Sequence, residues 1–187
     1  MTGGRRSVAL VAGAVALVGA LAGCSAKPGV AATVNGQDIT THEVSTTIAD
    51  FTPLSGQVSA SAVLNELVLE PIYLEVAQKH DVAVSEDDAK AAIASAFAGK
   101  GAVPDSAGTL AIARFELTAN KIAQSPQASA IAADLATALK DASITVNPRF
   151  GTFDPAAASV TSVVTAPTQP AWQVATAAPT AALTPAP

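Results

Sequence analysis

From Val8 to Ala22 the chain contains only Val, Ala, Leu and Gly, and this run stops two residues before Cys24. At about 15 residues it falls short of the roughly 20 that a membrane-spanning helix needs. It matches the apolar region of a secretory signal, with Arg5 and Arg6 as the basic region ahead of it. A segment of this kind is removed and takes no part in the mature fold. Whatever the chain folds into is therefore assembled from residue 24 onward. Cys24 is also the single cysteine. No disulfide can form within the chain, so its stability has to come from packing.

The junction Leu21-Ala22-Gly23-Cys24 resembles the bacterial lipobox. Small residues at 22 and 23 let the backbone lie extended in a peptidase cleft, and the Cys24 thiol is the nucleophile that accepts a thioether-linked diacylglycerol. A lone cysteine is otherwise a small buried hydrophobe or a free thiol, but neither explains a cysteine placed directly after an apolar signal. The expected organisation is a lipoprotein signal peptide over 1–23, lipid on Cys24 and a tether over 24–30. The mature chain is then held on the extracytoplasmic face of the cell membrane. Arg5-Arg6 is not followed by the Phe of a twin-arginine signal, since Ser7-Val8-Ala9 comes next, so ordinary secretion is expected.

Removing Arg5 and Arg6 leaves eight basic against 15 acidic side chains, a formal charge of −7. Such a surface repels phosphate backbones and argues against nucleic acid as a partner. Aromatic residues make up only 4%, which favours helices packed closely through small side chains.

Along the mature chain, Ala31–Val34 is expected to be a strand. Asn35-Gly36 is its tight turn, because both residue types tolerate positive φ. Thr40 and Glu43 form a capping-box pattern, with Ile39 and Val44 placed as a hydrophobic staple. Val44, Ile48 and Phe51 continue at helical spacing, and Pro53, Ser55 and Gly56 end that element. A second helix is expected from about Ser59 to His80. Its one broad apolar face carries Val63, Leu64, Leu67, Val68, Ile72 and Val76, with Glu66 and Glu70 mostly off it and a kink at Pro71. Ser85 caps a third helix with Ala89, Ile93 and Phe97 as its stripe. A fourth spans Ala107 to Gln124. Ser125-Pro126 has the N-cap and N1 pattern of a fifth, which ends near Asp141. Ser143–Asn147 alternates as a strand. From Pro155 the chain is uncharged and rich in Ala, Thr, Pro, Val and Ser, and 155–187 is expected to be a disordered tail. Trp172 is a possible contact point within it.

The order of these segments is informative. Val34-Asn35-Gly36-Gln37-Asp38-Ile39-Thr40 resembles the opening of the SurA-like, or PrsA-like, chaperone N-terminal domain. Leu64 to Asp88 resembles that family's long helix, its exit and the acidic start of the next helix. Ile144 to Asp154 is similar to the closing strand and turn of actinobacterial members. The resemblance covers 31–154. It implies a mostly α fold, a helical lobe in which the first and last short strands pair, and a role in holding unfolded or newly secreted polypeptides. Many members also carry a parvulin prolyl-isomerase domain, which needs a pair of core histidines and about a hundred residues. This chain has only His42 and His80, at a helix start and a helix end, and His80 is favourably placed there for the helix dipole.

No Ser-His-Asp set, metal-ligand spacing or Gly-rich phosphate loop is visible in the sequence. Glu86-Asp87-Asp88 has the form of a cation site, but acids are expected at a helix N-terminus in any case. The expectation is therefore no catalytic, cofactor or metal site, with Cys24 as the one modified residue. Two functions remain open. One is a non-enzymatic folding factor that binds many unfolded chains. The other is a structural lipoprotein that binds one defined envelope partner.

Overall fold

The computed structural model describes residues 27–154 and 162–167. The signal segment, Cys24 and Trp172 lie outside the described residues. Among the described residues the first elements are a hairpin of β1 (Val30–Val34) and β2 (Gln37–Thr40). Its turn has φ of 49° at Asn35 and 86° at Gly36, the pair of left-handed residues that a two-residue hairpin turn requires.

Five helices follow: α1 (Thr41–Ser55), α2 (Ala60–Lys79), α3 (Glu86–Ala96), α4 (Ala107–Ala123) and α5 (Ala128–Asp141). The expected capping box is present. Thr40 Oγ1 accepts from the Glu43 N–H at 3.0 Å, and the Thr40 N–H reaches Glu43 Oε2 at 3.5 Å. Ser59, Ser85 and Ser106 cap α2, α3 and α4 through their hydroxyls. Each cap satisfies a backbone N–H that the helix itself cannot. α1 continues two residues beyond Pro53 before ending at Gly56, whose φ is 70°.

Two expectations about the helices need correction. Ser125 is not the N-cap of α5. Its carbonyl accepts from Ala128 and its hydroxyl from Gln127, which closes a separate turn, and the helix starts at Ala128 after a Gln127 with no side-chain cap. The second correction concerns α2, which is apolar on more than one face. Besides the expected stripe, Leu69, Tyr73 and Leu74 are buried. Contacts with α1, α4, α5 and β1 place it at the centre of the lobe, as expected of a helix that is hydrophobic nearly all round.

After α5 comes β3 (Ile144–Val146), which pairs antiparallel with β1, Ala32 opposite Val146 and Val34 opposite Ile144. The sheet order is β2-β1-β3. The fold is thus mostly α, with its first and last expected strands paired. Two asparagines bracket the pairing. At one end the Asn35 N–H donates to Ser143 O at 2.8 Å, and Asn35 Oδ1 accepts from the Ser143 N–H at 2.9 Å. At the other, Asn147 donates from its backbone to Ala31 O and from Nδ2 to Val30 O.

The tail departs from expectation. β4 (Thr152–Phe153) pairs antiparallel with β5 (Val164–Thr165). Val163 and Val164 are 3% and 7% exposed and belong to the main core. The region after Pro155 therefore contributes a short segment, 162–167, whose Val163 and Val164 are buried. Two adjacent β-branched side chains are enough to seat it.

α1 and α4 approach closely at Gly108. A Cβ there would collide with Thr47 Oγ1 and sit 3.2 Å from Glu43 Cγ. Thr47 is fully buried, and its hydroxyl is turned back onto Glu43 O at 2.8 Å. Gly108→Ala should lower stability by about 1–2 kcal/mol in urea denaturation, because overpacking outweighs the helix propensity gained. Adding Thr47→Ala frees the space. The double variant should then be more stable than Gly108→Ala alone, and additivity of the two losses would contradict the contact.

Candidate functional site

The chain enters the lobe at Lys27, whose ammonium lies 3.1 Å from the Asp38 carboxylate. Thr33 Oγ1 also donates to Asp38 at 2.6 Å, and the two contacts together hold its carboxyl below the usual carboxylate range. The Lys27 carbonyl accepts from Val30, and the Gly29 carbonyl accepts from Thr41. Of the expected tether over 24–30, residues 27–30 are bonded into the lobe, and 24–26 lie outside the described residues. An open cleft of about 750 Å³ adjoins this entrance, with Lys27, Pro28, Arg149 and Phe150 among its walls.

The ionisable residues singled out in the sequence do not meet. His42 is exposed in the first turn of α1. His80 caps α2, with Nε2 2.8 Å from Asp134 Oδ2 and Nδ1 3.2 Å from Gln127 Oε1, and so ties α2 to α5. Glu86 pairs with Lys90 within α3, and Asp88 accepts from the Ser85 hydroxyl. Among the described residues no group of three or more His, Cys, Asp or Glu is placed to hold a metal ion.

The arrangement with most chemical content lies where the tail meets α2. Asn65 Oδ1 accepts from two consecutive backbone N–H groups, Val163 at 2.7 Å and Val164 at 3.1 Å. Thr165 pairs with Thr152, and Val164 with Phe153. Gly151, at φ 148°, has no room for a side chain. A Cβ there would meet Thr165 O and lie 2.8 Å from Val164 Cγ1.

Sequence reasoning missed both halves of this contact. The available signals were a single amide, Asn65, inside the apolar run Val63–Leu69, and the only Val-Val pair of the tail, set among Ser and Thr. Such a cluster has strand propensity.

A second polar layer crosses α2 and α4. Arg114 lies 3.5 Å from Glu70, and its Nε is buried without a hydrogen-bond partner. Tyr73 meets Phe115 edge-on, with centroids 4.8 Å apart. Burial raises Glu70, against the pull of Arg114. Glu66, half-buried and facing the charge of Glu116, is pushed up to about 7 from an ordinary 4.5.

A raised carboxyl favours the folded state only while it is protonated. Its contribution is complete below about 4.5 and is lost as pH climbs to about 7. The Asp134 hydrogen bond, and then that of Gln127, raise His80 above its usual 6.5, so its contribution is complete below that value and fades as pH passes the raised one. Both groups make the lobe less stable toward alkaline pH. Glu66→Gln should remove about 1–2 kcal/mol of the loss between pH 5 and pH 8, the figure being discounted for partial exposure. Urea titrations at the two pH values measure it, and an unchanged difference would show that Glu66 is solvated.

No family model matches the chain, and neither a curated protein nor a solved structure is found similar to it.

Proposed function

We propose that this chain is a lipid-anchored, non-catalytic folding factor that holds unfolded or newly secreted polypeptides on the outer face of a membrane. The reading rests on the lipobox-like Leu21-Ala22-Gly23-Cys24 for location and on the resemblance to SurA-like chaperone N-terminal domains for activity. The observation that carries it is the closure of β1 on β3 around the helices, the arrangement that the resemblance implies. Among the described residues no helix is long and apolar enough to cross a membrane, and the proposed anchor is Cys24. A formal charge of −7 on the mature chain keeps complexes with clients soluble through mutual repulsion.

Cys24→Ala should stop processing and leave a precursor of full length, while the membrane-extracted native protein should carry a lipid-modified cysteine at its N-terminus in mass spectrometry. An unmodified N-terminus elsewhere in the chain contradicts the anchor.

The activity is tested with the soluble form starting at Ser25. Light scattering from a thermally unfolded client should fall at stoichiometric ratios, across several unrelated clients. In the same preparation a tetrapeptide should isomerise about its prolyl bond at the uncatalysed rate. Suppression of none of the clients, together with recovery of one stoichiometric envelope protein, would replace this reading with that of a lipoprotein serving a single partner.

A further inference from the structure

We infer that Asn65, the edge of β4 and the hollow over Gly151 form a receptor for an extended polypeptide segment, which a strap of the same chain, residues 163–165, occupies in cis. The inference rests on the folding-factor reading for its biological role, and on the geometry of the strap for the receptor itself.

The strap is held by contacts that another extended segment can reproduce. Asn65 Oδ1 takes up two main-chain N–H groups in succession, and every residue but proline supplies such a donor. β4 offers a main-chain edge, and β5 is the only strand paired with it among the described residues. With the strap withdrawn that edge is open, and adding a strand to an open edge is a recurring mode of peptide capture. Specificity enters through two side chains, Val163 and Val164, which fill an apolar bed, while Thr165 stays exposed. The preferred ligand is therefore an extended segment with adjacent β-branched apolar residues, the kind of sequence that unfolded chains expose and folded ones bury.

Two further features distinguish the site from simple completion of a core. Gly151 leaves open the space through which the Thr165 carbonyl passes, so the bed is shaped to a backbone as well as to side chains. Ten residues also separate Phe153 from Val164 in sequence, so the pairing joins two segments that are not neighbours along the chain.

The test uses the soluble mature chain starting at Ser25 and a fluorescein-labelled peptide, Val-Thr-Ser-Val-Val-Thr-Ala-Pro, copied from residues 160–167. The double substitution Val163→Asp/Val164→Asp releases the strap in cis. This variant should bind the peptide at least tenfold more tightly than the native chain does, by fluorescence anisotropy. N-methylation of the peptide at the amides equivalent to Val163 and Val164 should abolish that binding without altering the protein. If the released variant binds no better than the native chain, or binds the methylated peptide equally well, the receptor is refuted. Should the released variant fail to fold, excess peptide is added to the native chain and hydrogen exchange is followed at Val163 and Val164. Accelerated exchange supports displacement of the strap, and unchanged exchange overturns it. Peptide binding without suppression of client aggregation leaves the receptor standing and sinks the folding-factor reading. Suppression that is equal in native and released chains, with no peptide binding, does the reverse.

Discussion

The lobe is organised by the need to cover α2. Twenty residues long and apolar on several faces, this helix cannot rest on a single neighbour. α1, α4 and α5 each pack against it, β1 lies along it, and β5 comes back from the tail to cover a further strip. Without disulfides, and with few aromatic side chains, the chain gathers its buried area by surrounding one helix with many modest contacts. That accounts for the close approach at Gly108, where α4 comes near enough to α1 for a single methyl group to be excluded. It also accounts for the acids on α2. Glu66 and Glu70 occupy positions that a two-sided helix would leave in water, and the enclosing α4 draws them partly inside.

Much of this was legible in advance because the local chemistry was unambiguous. Asn35-Gly36 dictates a left-handed turn whatever surrounds it, and Thr40 with Glu43 can satisfy each other's backbone without tertiary help. The pairing of β1 with β3 followed from a resemblance in segment order, although nothing local links the two strands. The failures share a cause. Whether Leu69, Tyr73 and Leu74 are buried depends on what lies on the far side of α2, and periodicity in one helix does not carry that information. Ser125-Pro126 has the residues of a helix start, but the turn formed there uses the Ser125 hydroxyl for Gln127 and delays the helix to Ala128. The strap was hidden by its composition. A segment of two valines among Ala, Thr and Pro cannot form structure alone, and Asn65, which receives it, lies about a hundred residues away.

The candidate site shows the same division more sharply. The role proposed for Cys24 comes from its immediate neighbours, because a peptidase and a transferase act on a linear stretch of chain. A surface that receives extended polypeptide has no such linear pattern. Its parts are a side-chain amide on a helix, a strand edge and a glycine, and each is unremarkable until the fold brings them together.

The pairing of β1 with β3 has a consequence for the order in which the molecule can be made. The hairpin of β1 and β2 is local and forms on a scale of microseconds. The third strand of its sheet is encoded more than a hundred residues later, and Asn35 reaches Ser143 across a separation of 108. A chain made from its N-terminus delivers β1 long before β3. Until β3 follows, β1 has an unpaired edge, and Ala31, Ala32 and Val34 wait for much of their cover. High separation between partners slows folding and lengthens exposure of such edges. The lobe can close only when residue 146 is available, so its final packing is timed by the arrival of its own last sheet strand.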